Sequence, residues 1–142
     1  MNKLKLIILL LCAISTGYGQ EHHKYDTLKL TTDSIVLIKV EVEAEAEGGK
    51  KGWSDFLERN LNLDVPYFNS APRGVYKVIV RFIVYKDGTI GDFKALTKHG
   101  YGMEKEVIRA LKLSPKWKPA LQNGTAVNAY RNQPVAFFVR ED

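Results

Sequence analysis

The chain has 142 residues, 45% of them hydrophobic and 26% charged, with a formal net charge of +5. That length suits one compact domain, and that apolar content excludes wholesale disorder, because a disordered chain lacks the burial to offset its conformational entropy. The single cysteine, Cys12, excludes an intramolecular disulfide framework.

Residues 1–19 read as a secretory signal peptide. Lys3 and Lys5 precede an apolar run from Leu6 to Ile14, and Gly17 and Gly19 place small side chains at the −3 and −1 positions of a cleavage site. The run is too short to cross a ~30 Å hydrocarbon core, which needs about 20 apolar residues, so no stable membrane insertion is expected. Cys12 follows Leu9-Leu10-Leu11 rather than the small residues that precede a lipidated cysteine. Without residues 1–19, 19 basic residues face 16 acidic ones, a net charge of +3. That is too little to argue for a nucleic-acid partner.

Residues 20–47 read as a polar arm carrying an extra strand. The arm opens with Glu21, His22, His23, Lys24 and Asp26, then turns apolar at Ile35-Val36-Leu37-Ile38. From Val40 to Glu47 apolar and acidic residues alternate strictly, the period of a strand with one charged face. Its Ala-Glu tail has poor β propensity and reads as an extended tether. Gly48-Gly49 then opens the domain proper, residues 48–142.

Trp53, Phe56, Leu57 and Leu61 fall at i, i+3, i+4 and i+8, which predicts an amphipathic helix. Pro66 and Pro72 bound a loop whose Tyr67 and Phe68 are expected to cover a core. Next comes a hairpin. Tyr76, Val78, Val80, Phe82 and Val84 share one face of a long strand, Lys86-Asp87-Gly88 makes the turn, and Ile90, Phe93 and Ala95 return. The change of phase between Ile90 and Phe93 predicts a bulge near Gly91-Asp92. Met103, Val107, Ala110 and Leu111 form the stripe of a second helix, stopped at Ser114-Pro115. The rest is strand-like, with an Asn123-Gly124 turn and a final apolar run, Val135-Ala136-Phe137-Phe138-Val139. Trp53, Phe82, Leu111 and Trp117 are the expected core residues.

The same residues supply no catalytic constellation. A Gly-x-Ser-x-Gly elbow is missing, the three histidines lack acid or serine partners, and Gly48-Gly49-Lys50-Lys51 lacks the spacing of a phosphate loop. Cleavage after Gly19 would put His22 third, where an amino terminus and an imidazole can make a square-planar copper or nickel site. An amino-terminal Gln20 tends to cyclise and remove that amine. The expectation is no enzyme, no cofactor and no metal.

The order of helix, hairpin, helix and strand carries a resemblance. Gly74 to Val84 with Lys86-Asp87-Gly88-Thr89-Ile90 resembles the first hairpin of the TonB carboxy-terminal domain family. Glu106 to Leu111, Ser114-Pro115-Lys116-Trp117-Lys118-Pro119 and Pro134 to Phe138 are similar to its helix, its Trp-x-Pro signature and its closing strand. The resemblance spans about residues 48–140. It implies an α+β fold, a small antiparallel sheet with two helices packed on one face, in the Gram-negative periplasm. It also implies binding of the TonB box of an outer-membrane TonB-dependent transporter, or of another envelope protein, along an exposed sheet edge.

The expected edge is the last strand: Val135, Ala136, Phe137, Phe138, Val139 and Arg140. The alternatives are an internal strand and a structural homodimer or inhibitor-like envelope domain using the same edge. Two departures stand out. A cleavable signal would leave no anchor to transmit force, and the loop has Pro66-Tyr67 where the family has the reverse order.

Overall fold

The structure, a computed structural model, describes residues 30–31 and 34–140. The signal peptide, the histidine pair and residues 20–29, 32 and 33 of the polar arm lie outside the described residues. Two short strands come first, β1 (Leu30–Thr31) and β2 (Ser34–Leu37). Helices α1 (Gly49–Asn60) and α2 (Val65–Phe68) follow, then the hairpin of β3 (Gly74–Val84) and β4 (Ile90–Ala95). Helix α3 (Met103–Leu111) leads to β5 (Ala120–Gln122) and the long β6 (Thr125–Val139).

The fold is α+β, as expected, but its sheet is mixed. Strand order is β1-β2-β6-β3-β4, with β5 also paired to β6. β2 runs parallel to β6 at Val36–Asn128 and Leu37–Ala129, and the other pairings are antiparallel. A parallel neighbour is possible because the chain crosses over the sheet between β2 and β6 instead of returning through a hairpin.

The β3–β6 ladder pairs every residue from Gly74–Val139 to Val84–Ala129. Its inner face carries Val78, Val80, Phe82 and Val84 from β3 and Val135, Phe137 and Val139 from β6, all buried. Helix α3 lays Met103, Val107 and Leu111 on that face, and Trp53, Leu57 and Leu61 of the α1 region pack against the same cluster. Period two on the strands and period 3.6 on the helix thus meet in one core. The expected bulge is present, since Arg81–Lys94 is followed by Ile83–Gly91 and Asp92 has φ 51°. The closing turn has both central residues left-handed, Asn123 at φ 49° and Gly124 at φ 72°, the geometry that suits a two-residue hairpin.

Trp117 ties the hairpin turn to the core. Its ring lies edge-on to Trp53 and Phe82, at centroid distances of 4.8 and 5.5 Å. Its backbone N–H donates to the Gly88 carbonyl at 2.8 Å. Gly88 has φ 84°, and a Cβ there would collide with the Trp117 carbonyl, so only glycine fits.

Two expectations fail. The Ala-Glu segment is no tether: Ala44 and Ala46 are buried in the core, and Val42 and Glu45 bridge to Leu121 and Lys118. Its glutamates face outward, Glu43 paired with Arg131 at 2.7 Å, so the alternation marks a packed extended segment. Conversely, Tyr67 and Phe68 do not cover the core. They are 50% and 73% exposed, and the loop is anchored instead by the buried Pro66 and Ala71. Trp53 is only half-buried, whereas Phe82, Leu111 and Trp117 are core residues.

Glu106 is the one buried acid among the described residues. Its carboxylate accepts from the Asn62 backbone N–H at 2.8 Å and from Arg109 Nε and Nη2 at 2.8 and 2.7 Å. Arg109 also reaches the Asn60 carbonyl, so the pair clasps the end of α1 to α3. The Arg109 hydrogen bonds hold the Glu106 carboxyl below its ordinary value of 4.5, against the opposing effect of burial. The stabilisation is therefore complete above about pH 4.5 and is lost as pH falls through the lowered folded value. The urea midpoint should drop over that acid range, and Glu106→Gln should flatten the drop while lowering the midpoint at pH 7. Trp117→Ala should cost about 3–5 kcal/mol by the same measurement.

Candidate partner-binding edge

The last strand was the expected interaction site, and its usefulness depends on where its backbone groups point. Along an antiparallel strand the N–H and C=O of one residue point to the same side, and the side alternates with each residue. Ile79 of β3 shows the phase. Its N–H donates to Thr97 Oγ1 at 3.1 Å and its C=O accepts from Leu96 N–H at 2.8 Å, both on the β4 side. Val78 and Val80 must therefore turn their groups toward β6, where they face Val135 and Gln133. Val135, Phe137 and Val139 are thus engaged with β3. Pro134, Ala136 and Phe138 direct theirs the other way.

On that other side β2 reaches only Asn128 and Ala129. Beyond Ala129 no strand lies there among the described residues. Pro134 fits this position well, since a proline on a sheet belongs where the missing N–H would face outward. Its carbonyl is covered by Gln133 Nε2 at 2.8 Å, and Gln133 Oε1 in turn accepts from Trp53 Nε1 at 2.6 Å. The edge is blunted at Pro134 and, among the described residues, unoccupied at Ala136 and Phe138.

The opposite edge of the same two-stranded region is treated differently. There Thr97 and Leu96 take both groups of Ile79, and the His99 ring contacts the Lys77 carbonyl at 2.9 Å. The loop at 96–99 thereby closes much of the β3 edge. On the β6 side the outward groups of Ala136 and Phe138 meet no strand among the described residues.

Side chains divide by the same phase. Val135, Phe137 and Val139 are buried, and Ala136, Phe138 and Arg140 are exposed. Phe138 is 61% exposed and its register partner Val75 is 68% exposed, giving a bare apolar pair on the outer face beside the edge. At the strand's end opens a groove of about 650 Å³, lined by Tyr67, Phe68, Ser70, Arg73, Val139 and Arg140. Sequence reasoning missed this groove because it took the two aromatics for core residues. The exposed proline-bounded Tyr67-Phe68 pair was the available signal.

A second depression of about 260 Å³ lies between the Ala-Glu segment and Trp53. Its rim charges are largely matched within the chain, Glu43 with Arg131 at 2.7 Å and Glu45 with Lys118 at 3.8 Å. No group of three or more metal-ligating side chains occurs among the described residues, and no helix there is long and apolar enough to cross a membrane.

The ladder, the helix on its inner face and the Trp117 anchor coincide with one family. Residues 76–139 match the family described as the Gram-negative bacterial TonB protein C-terminal. That segment belongs to the TonB C-terminal domain family. No curated protein and no solved structure matches the chain significantly. The family is a protein-interaction domain, not an enzyme, of the Gram-negative periplasm, and its members contact envelope proteins such as outer-membrane transporters. In this TonB-like domain the matched segment contains both ladder strands and ends at Val139, within the candidate edge.

The hydrogen-bond phase makes a sharp prediction about stability. Proline at Ala136 or Phe138 removes an N–H that points away from β3, so both variants should fold with urea midpoints near the parent's. Proline at Val135 or Phe137 removes a ladder donor and leaves a buried carbonyl unpaired, a loss of about 1–3 kcal/mol before steric strain.

Proposed function

We propose that this TonB-like domain captures an extended segment of an envelope protein by strand addition along Ala136–Arg140. The observation that supports it is the pair of residues, Ala136 and Phe138, whose N–H and C=O groups all point to a side with no strand among the described residues. Backbone pairing there supplies affinity, and side chains beside the Phe138–Val75 pair supply selectivity. Membership of the matched segment in the TonB family favours a TonB-box segment of an outer-membrane TonB-dependent transporter as the partner. A second copy of this chain is the competing occupant.

The folded Ala136→Pro and Phe138→Pro variants test the reading. Calorimetry with transporter amino-terminal peptides should show binding by the parent and at least tenfold weaker binding by either variant. Unchanged affinity in both would falsify strand addition at this edge. Light scattering separates the competitor: a parent dimer that both proline variants convert to monomer assigns the edge to a second copy.

The same reading includes export, with residues 1–19 removed and Gln20 left first. Mass spectrometry of the periplasmic fraction should find a chain beginning at residue 20. Recovery of the intact chain with the inner membrane would refute this.

A further inference from the structure

The outer face of the β3–β6 ladder, away from the buried side chains, carries more than the apolar pair at its end. Register sets that face out in rows: Val75 with Phe138, Lys77 with Ala136, Ile79 with Pro134, and Arg81 with Asn132. Lys94 of β4 stands beside Arg81 on the same face. None of these residues is an acid. The Arg81 guanidinium already lies over the Tyr130 ring, 4.8 Å from its centre. Lys77 and Lys94 are exposed, and neither makes an ion pair among the described residues.

Lys77 differs from the other cations in what stands next to it. Its row partner is Ala136, the smallest side chain in these rows. On the far side of Ala136 runs the edge that meets no strand among the described residues. A segment added there places one residue in the same row, two strand spacings or about 10 Å from Lys77. Only a methyl group stands between them, so an extended lysine and a glutamate close the gap over it. In the next row the Phe138 ring blocks such a path. A cation whose own row holds no acid attracts a carboxylate to that position.

We propose that Lys77 selects the partner by reaching across Ala136 to an acidic residue of the added segment. The inference rests on strand addition at Ala136–Arg140 and names the chemistry of the segment that fits. Phe138 takes an apolar residue in the next row, so the segment carries an acid and an apolar residue two positions apart, on one face of its strand.

Calorimetry of the full chain with capped seven-residue peptides tests this. The first is Thr-Glu-Thr-Val-Thr-Gln-Thr, the second has Glu and Gln exchanged, and the third has Gln at both places. With valine beside Phe138, either strand direction puts Glu beside Ala136 in one of the first two peptides and beside Arg140 in the other. The peptide with Glu beside Ala136 should bind the parent about threefold more tightly than the third, the size expected of an exposed ion pair. Lys77→Gln should abolish the gain of that peptide alone, and Lys77→Arg should keep it. Lys94→Gln removes an equal charge from the same face and should leave the gain in place.

Equal affinity of the parent for all three peptides overturns the lysine contact and leaves strand addition standing. So does a gain that survives Lys77→Gln, or one that Lys94→Gln removes as fully, which would mark a general attraction of the face. Binding of none of the peptides overturns the contact and strand addition together.

Discussion

Eleven consecutive residue pairs between β3 and β6 are the constraint on which the rest of this domain depends. A strand has one degree of freedom in register, and a shift of one residue would invert every side chain between core and solvent. Val78, Val80 and Phe82 on one strand and Val135, Phe137 and Val139 on the other are buried together, so only one register buries all six. The same alternation decides which backbone groups are spent inside the ladder and which face outward. Core packing and edge availability are therefore two readings of a single phase.

That phase also separates what was legible in the sequence from what was not. The hairpin and α3 announced themselves, because Tyr76 to Val84 alternate and Met103, Val107, Ala110 and Leu111 recur at helical spacing. The bulge near Asp92 could be read from the broken alternation alone. The outward face of the last strand could not, since Val135 to Val139 is apolar throughout and periodicity has nothing to contrast. The phase becomes readable only when Ile79 is seen to spend its groups on Leu96 and Thr97. Tyr67 and Phe68 misled for a related reason: hydrophobicity marks where burial is favourable, and it is silent on whether a four-residue helix held by Pro66 can turn those rings inward. The Ala-Glu segment misled in the opposite direction. Poor β propensity described its backbone preference, but Ala44 and Ala46 are small enough to pack without a full ladder.

Polar side chains show how the two-stranded end of the β3–β6 ladder manages its two sides. His99 and Thr97 cover the β3 side, and Gln133, held by Trp53, covers the Pro134 carbonyl on the β6 side. Exposed edge strands invite nonspecific pairing, and covering most of an edge limits it. Glu104 helps to hold the covering loop in place, accepting from His99 N–H at 2.7 Å and Gly100 N–H at 3.1 Å. Its position in the first turn of α3 also suits the helix dipole, so one carboxylate serves both the helix and the edge cover.

What remains open is short, and its length limits how tightly it can hold a partner. The two N–H and two C=O groups of Ala136 and Phe138 can make four backbone hydrogen bonds. At roughly 0.5–1.5 kcal/mol net each, these supply about 2–6 kcal/mol, against which stands an association cost of about 4 kcal/mol or more. Backbone pairing alone therefore leaves little surplus at any protein concentration found in a cell envelope. The difference must come from side chains, and the outer-face pair Phe138 and Val75 is the apolar surface available beside the edge. A residue of the added strand that covers this pair removes apolar area from water on both molecules, worth roughly 25 cal/mol per Å². A partner with a small polar residue at that position pairs its backbone equally well and gains none of this. On the proposed strand addition, discrimination among extended segments thus rests on the outer face of β6, while the backbone edge accepts any strand without proline at the wrong phase.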